Sequence, residues 1–204
     1  MTEQIRLLVA DDQALVRGAM CALLDLEPDF VVVAEVGRGD EVVPAALAAA
    51  PDVAILDIEM PGQDGLAAAA ELHARLPECR ILMVTTFGRP GYVKRAVQAG
   101  ALGFVVKDTP ADELAEAVRA VARGSRMIDP ALAAESLAEG DSPLTERETD
   151  VLRLARTGGS VADLARILHL SPGTVRNLLS SAMTKTGGRN RADAARIAEA
   201  SGWL

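Results

Sequence analysis

The sequence predicts an α/β fold, a doubly wound parallel sheet of five strands, followed by a second, all-α domain of four helices. Three observations predict it. Short runs dense in Val, Ile and Leu alternate with helical patterns through the first 124 residues. A stretch punctuated by Gly124, Pro130, Gly140 and Pro143 then interrupts the alternation. Beyond it the apolar spacing is that of helices alone. The expected organisation is a first domain over 1–124, a linker over 125–143 and a helical domain over 144–204.

The first strand is the run 5–10. A helix follows over 13–26, with Leu15, Ala19, Leu23 and Leu26 at helical spacing and Pro28 as a stop. Residues 31–36 form the second strand, 40–50 a helix, and 53–56 the third strand. After a loop over 59–64 comes a helix over 65–76, then a strand over 80–84 that ends at Thr85. The helix 92–99 closes at Gly100, a residue suited to a left-handed helix end. The last unit is a strand over 103–106 and a helix over 110–123. Here Thr109 is the expected N-cap, Pro110 the first helical residue and Asp112 an acid in the first turn. In the helical domain three starts carry a capping pair, Thr145 with Glu148, Ser160 with Asp163 and Asn190 with Asp193, and Ser171-Pro172 gives a fourth.

Charge divides along the same line. Residues 142–204 hold nine Lys and Arg against six Asp and Glu, so of the net −8 the first 141 residues carry −11 and the remainder +3. An acidic half suits a carboxylate metal site, and a mildly basic helical domain suits nucleic acid. Cys21 and Cys79 sit in apolar surroundings without metal-ligand spacing, as expected of two reduced core thiols and a cytoplasmic protein. The first four residues lead straight into a strand, and no apolar stretch is long enough for a bilayer, so neither secretion nor membrane insertion is expected.

Asp11, Asp12, Asp57, Thr85 and Lys107 each end or follow one of the strand runs. In a parallel sheet such positions converge at the crevice where strand order reverses, so these five share one pocket. A carboxylate is a poor nucleophile toward phosphorus unless the charge of the incoming phosphoryl group is neutralised, which Mg2+ does through an octahedral oxygen shell. On this reading Asp57 is the phosphoacceptor. Asp12 and Asp57 ligate the metal directly, Asp11 holds metal-bound water, and the backbone carbonyl of Glu59 completes the protein's share. Lys107 places positive charge on the phosphoryl oxygens and the Thr85 hydroxyl donates to one of them. Taken singly, an Asp after a strand is usually a turn residue and Thr85 a strand end. Only their joint occurrence in strand order points to phosphorylation. Phe104, alone, reads as core.

These residues, with Met60-Pro61-Gly62, Asp64-Gly65, Thr86, Gly100-Ala101 and Gly103-Phe104, make residues 1–124 resemble the receiver domain of bacterial two-component response regulators, a flavodoxin-like fold. The resemblance implies a cognate sensor histidine kinase as phosphate donor. It also implies that Phe104 turns inward as Thr85 swings toward the phosphate, moving the face made by the last strand and last two helices. Asp108 stands where many receivers have proline.

Residues 161–185 read as two helical segments joined by His169-Leu170-Ser171, with Val161, Leu164, Ala165 and Leu168 apolar on the first and Val175, Leu179, Ala182 and Met183 on the second. That is helix-turn-helix spacing, although a plain small bundle would show it too. Thr174, Arg176, Asn177 and Ser180 occupy the second helix's remaining face and are types that read base edges. Lys185, Arg189 and Arg191, with the backbone N–H groups after Ser171, are the expected phosphate contacts. What decides for double-stranded DNA is resemblance. Leu144-Thr145-x-Arg147-Glu148, Val151-Leu152, Ala165, Leu170-Ser171-Pro172-x-Thr174-Val175-Arg176-Asn177 and Gly187-x-x-Asn190-Arg191 are similar to the LuxR-type DNA-binding domain.

A receiver joined to such a domain resembles the NarL/FixJ class of transcriptional response regulators, not enzymes, with a homodimer on phosphorylation and RNA polymerase as a further candidate partner. Phe87-Gly88-Arg89-Pro90-Gly91-Tyr92 and the ending Gly202-Trp203-Leu204 resemble the DesR-like members. Leu178 departs from the family's frequent histidine, and Thr186 and Gly188 from its leucine and valine. The last two changes predict a loosely packed final helix over 190–201, with Trp203 restoring contact or serving a dimer. His169 is expected as a surface turn residue. Two other classes compete. A phosphohydrolase of the haloacid dehalogenase type would place its nucleophile after the first strand, not the third. A constitutive DNA-binding protein with a vestigial receiver would not need the complete pocket.

Overall fold

The computed structural model describes residues 4–86, 90–128, 142–156 and 158–204. The chain divides into two compact units, one containing the sheet and the other the C-terminal helices. In the first unit the elements run β1 (Ile5–Ala10), α1 (Ala14–Leu24), β2 (Phe30–Val36), α2 (Gly39–Ala49), β3 (Val53–Asp57), α3 (Gly65–Arg75), β4 (Arg80–Thr85), α4 (Pro90–Gln98), β5 (Gly103–Val106), α5 (Ala111–Ala122) and β6 (Met127–Ile128). All strand pairs are parallel, in the order β2-β1-β3-β4-β5-β6. The order reverses between β1 and β3, where a doubly wound sheet opens its crevice.

Every residue of β3 is buried, as a central strand covered on both faces requires. Leu7, Val9, Val53, Ile55, Leu82 and Val84 share one core with Met20, Cys21 and Leu24 of α1 and Leu114, Val118 and Val121 of α5. Helices α2 and α3 pack on each other and on the strands.

Three details differ from the sequence reading. The sheet has six strands, not five: Met127 donates from its backbone to Leu102 O (2.9 Å), inside the stretch expected as linker. Two residues are too short to show any alternation. Of that linker, residues 129–141 lie outside the described residues, as do the first three of the DesR-like hexapeptide at 87–92. On α1 the expected stripe is the wrong one. Leu15 is 86 % exposed and Leu26 beyond the helix 78 %, whereas Met20, Cys21 and Leu24 are buried. Two apolar stripes run along this helix, and periodicity alone does not choose between them. Finally, α5 starts at Ala111 with Pro110 at the N-cap position and no side-chain cap, so Thr109 does not cap it. Gly100 does take a left-handed conformation (φ 93°), and both cysteines are free and buried.

The second unit holds α6 (Glu146–Arg156), α7 (Val161–Ile167), α8 (Pro172–Thr186) and α9 (Arg191–Ala200). The capping signals are all made. Thr145 N–H donates to Glu148 (2.7 Å), Ser160 and Asp163 cap reciprocally, Ser171 accepts from Thr174 N–H and Asn190 from Asp193 N–H. His169 lies exposed in the turn between α7 and α8 with φ 53°.

The final helix is packed closely, against expectation. Ala194, Ala195 and Ala198 are buried, and a Cβ on Gly188 would lie 2.5 Å from Ala194 Cα. Loss of a side chain at 188 has let the backbones approach instead of leaving a void. Thr186 is used as a hydroxyl, donating to Ala182 O (2.8 Å) and accepting from Gly188 N–H (3.3 Å). Trp203 packs against this helical core. No helix among the described residues is long and apolar enough to cross a membrane.

Candidate functional site

The strand register builds the pocket. Ala10 pairs with Leu56, so Asp11 and Asp57 leave adjacent strands side by side. Asp57 pairs with Val84, which sets Thr85 one residue beyond it, and Thr85 pairs with Val106, which sets Lys107 one beyond that. All four converge. Asp11, Asp57 and Thr85 are buried, Asp12 is exposed, and the carboxylates of Asp11, Asp12 and Asp57 offer oxygens within 4.8 Å of one another. Phe104 is buried in β5. The Glu59 side chain is exposed.

The loop after β3 is closed by hydrogen bonds and by glycine. Ile58 N–H donates to Asp57 Oδ1 (2.8 Å), Gly65 N–H donates to Ile58 O (2.8 Å), and Asp64 caps α3 by accepting from Ala67 N–H. A Cβ on Gly65 would lie 1.8 Å from the Asp57 carbonyl oxygen, so only glycine lets α3 start this close to the acceptor. The peptide between Lys107 and Asp108 is trans.

The Lys107 ammonium lies 2.9 Å from Asp57 Oδ2, to which it donates, and 2.7 Å from Asp11 Oδ2. The second contact is a close ion pair, and the Lys107 ammonium is the partner of the buried Asp11 Oδ2. Burial raises the Asp57 carboxyl above its usual range, against the pull of Lys107. Burial works against the Lys107 charge too, yet its two carboxylate partners hold it above the ordinary lysine value. Three crowded carboxylates facing a single ammonium fit a small hard cation that takes oxygen ligands. Mg2+ is such a cation; Asp12 and Asp57 could hold it directly and Asp11 through water.

In the second unit, α7 and α8 meet across the turn at 168–171, with Leu164, Ala165, Val175, Leu179 and Ala182 buried between them and α6. Thr174, Arg176, Asn177 and Ser180 are exposed together on α8. The side chains of Arg176 and Asn177 make no hydrogen bond or ion pair with another described residue.

The sequence matches the family described as "Response regulator receiver domain" over residues 7–119 and that described as "Bacterial regulatory proteins, luxR family" over residues 142–198. The chain belongs to the LuxR-family response regulators. It is a transcriptional regulator of the two-component type, a receiver followed by a LuxR-type DNA-binding domain. It is 44 % identical over 200 residues to the transcriptional regulatory protein YvfU of Bacillus subtilis, covering 98 % of this chain and 100 % of YvfU. With the transcriptional regulatory protein DesR of the same organism it shares 41 % over 200 residues, 98 % of this chain and 99 % of DesR. The crystal structure of response regulator ChrA of a heme-sensing two-component system aligns over 98 % of this chain and 99 % of its own, at 32 % identity and a TM-score of 0.57. A dehalogenase arrangement is set aside, since the regulator's Asp57 ends the third strand.

The regulator's expected phosphate contacts divide on inspection. Arg189 is 89 % exposed, and its pairing with Asp193 (3.3 Å) is of the weak surface kind, leaving it available. Arg191 is half-buried and donates to Gly159 O (2.9 Å), tying α9 to the α6–α7 connection. Lys185 is committed to an internal partner. Its ammonium donates to Glu148 (2.7 Å), a buried acid that also accepts from Ser181 (2.6 Å) and Thr145 N–H. This pairing joins α6 to α8 and engages the ammonium that is expected as a phosphate contact. Sequence reading saw Glu148 only as a capping residue, because the signal at three residues' spacing says nothing of a partner 37 residues on. It missed Arg17 altogether: in an amphipathic helix an arginine reads as solvent face. Its guanidinium in fact donates to the Asp11 carbonyl.

Proposed function

We propose that Asp57 is the site at which a sensor histidine kinase phosphorylates the regulator, with Mg2+, and that phosphorylation favours a homodimer presenting two α8 helices to operator DNA. The observation that carries this reading is Lys107 bridging Asp57 and the buried Asp11 carboxylate, inside a cluster of three carboxylates whose oxygens lie within 4.8 Å. An Asp57 oxygen bonds to phosphorus as the bond from phosphorus to the donor breaks, with the electron pair leaving on the donor group. Lys107 moves its charge to the phosphoryl oxygens, and Thr85 donates its hydroxyl to one of them. Asp12, Asp57 and the Glu59 carbonyl, with Asp11 through water, would hold Mg2+, which would supply the positive charge that offsets repulsion of the phosphoryl group. Phe104 fills the space Thr85 vacates, which communicates the event to the surface.

The same reading makes 1–124 the receiver, 125–143 the linker and 144–204 the DNA-binding domain, in a cytoplasmic protein without enzymatic turnover of its own, with RNA polymerase as a further partner. Intact-mass measurement after acetyl phosphate is expected to show one added phosphoryl group with Mg2+, and none with EDTA or in Asp57→Asn. Incorporation in Asp57→Asn rejects the assignment. Light scattering is expected to show a rise in mass with phosphodonor; an unchanged mass and unchanged operator affinity reject the switch.

On the DNA side, Arg176→Ala is expected to cost about 1–3 kcal/mol on the operator and to relax preference at one base pair per half-site. Lys185→Ala is expected to leave the salt dependence of binding unchanged, since its charge is already paired with Glu148. A salt slope flattened by roughly one counterion would return Lys185 to the phosphate backbone.

A further inference from the structure

Arg17 lies six residues past Asp11, on the third turn-facing position of α1, and its side chain is only 22 % exposed. It folds back over the turn that carries both acids. Its Nη1 donates to the backbone carbonyl of Asp11, and its Nε lies 3.8 Å from Glu35 Oε2 on β2. A Cβ on Gly37 would lie 3.2 Å from the same Nη1, so the loop after β2 is shaped around this guanidinium. Asp11 is thereby held on every other side. Its N–H donates to Val36 O (3.2 Å), its Oδ1 accepts from Gln13 N–H (2.9 Å), and its carbonyl is taken by Arg17. Oδ2 is left to face the pocket, where it pairs with Lys107 at 2.7 Å.

We infer that Arg17 is a positioning residue of the metal pocket, fixing the Asp11-Asp12 turn against the repulsion of three carboxylates whose oxygens lie within 4.8 Å. The inference rests on the reading of this pocket as a Mg2+ site. The choice of acceptor atom matters. Arg17 hydrogen-bonds a carbonyl and lies 3.8 Å from Glu35 in a looser ion pair, and neither is a pocket carboxylate, so it adds positive charge and rigidity without occupying an oxygen the metal needs. Lys107 does the reverse: it sits on the carboxylates themselves and must move its charge when a phosphoryl group arrives. Arginine suits the task better than lysine, because its planar fork can satisfy the carbonyl and Glu35 at once.

The test is a Mg2+ titration of the full-length protein without phosphodonor, followed by the NMR amide shifts of residues 11–13 and 57–58. In Arg17→Gln the midpoint is expected to rise roughly tenfold, within the range for loss of a group that orients metal ligands. Arg17→Lys, which can hold only one of the two partners, is expected to rise about two- to fivefold. Phosphorylation by acetyl phosphate should slow at low Mg2+ and recover at saturating Mg2+. A merely structural role would lower the melting temperature of the Mg2+-free protein and leave the midpoint where it was, and that result overturns the inference. Should Arg17→Gln fail to fold, an unchanged midpoint in Arg17→Lys overturns it instead. If the wild-type amides do not respond to Mg2+ at all, the pocket reading fails and the inference falls with it.

Discussion

Glu148→Gln is expected to destabilise the helical unit by about 3 kcal/mol at neutral pH and to remove part of its sensitivity to acid. Burial pushes the Glu148 carboxyl up, but the Lys185 ammonium, the Ser181 hydroxyl and the Thr145 N–H together overcome it and bring it down to about 2. In the unfolded chain a glutamate titrates near 4.3, so the folded unit gains about 3 kcal/mol from holding this group ionised. Because the folded value is the lower one, that contribution is complete above the unfolded value and is lost as pH falls from about 4.5 toward about 2. Trp203 is the chain's single tryptophan and packs on this core, so its fluorescence in urea follows the helical unit specifically. Wild-type midpoints should fall steeply between about pH 4.5 and pH 2, those of Glu148→Gln less. Equal acid slopes in the two proteins would mean that the buried network does not hold Glu148 ionised.

The pocket and the helix-turn-helix were legible because their information is local in one dimension and convergent in three. Each pocket residue ends a strand run, and a parallel sheet brings strand ends together whatever the loops do, so Asp11, Asp57, Thr85 and Lys107 could be grouped before any coordinate. Capping pairs were legible for a similar reason: Ser160 with Asp163 and Asn190 with Asp193 are settled within one turn. What failed to show depends on partners far away in sequence. Which stripe of α1 is buried is decided by β-sheet neighbours, and α1 offers two apolar stripes. Whether a basic side chain near the end of α8 faces solvent or an acid on α6 is decided by helix packing, and Lys185 and Arg189, four residues apart, have opposite fates. Arg17 is the sharpest case, since its partner is a backbone carbonyl and carbonyls leave no mark in a sequence.

Packing also reverses an argument from resemblance. Related domains often carry valine where this chain has Gly188, and restoring an apolar side chain would ordinarily be counted as stabilising. Here Gly188→Val is expected to destabilise the helical unit by about 2–3 kcal/mol. A Cβ at this position would lie 2.5 Å from Ala194 Cα, 2.6 Å from its nitrogen and 2.7 Å from its Cβ, and all three belong to the rigid first turns of α9. No flexible side chain can yield, so α9 itself must shift. That shift would open the contacts of Ala194, Ala195 and Ala198, which are buried because they are small. It would also pull on Gly188 N–H, which the Thr186 hydroxyl accepts from, so the two departures from the family pattern act as a pair. Gly188→Ala should show a smaller loss in the same direction. Urea titrations read by Trp203 fluorescence decide the matter: a valine variant as stable as the wild type would mean that α9 does not rest on Gly188, and that the family side chain is missing from a space still there to receive it.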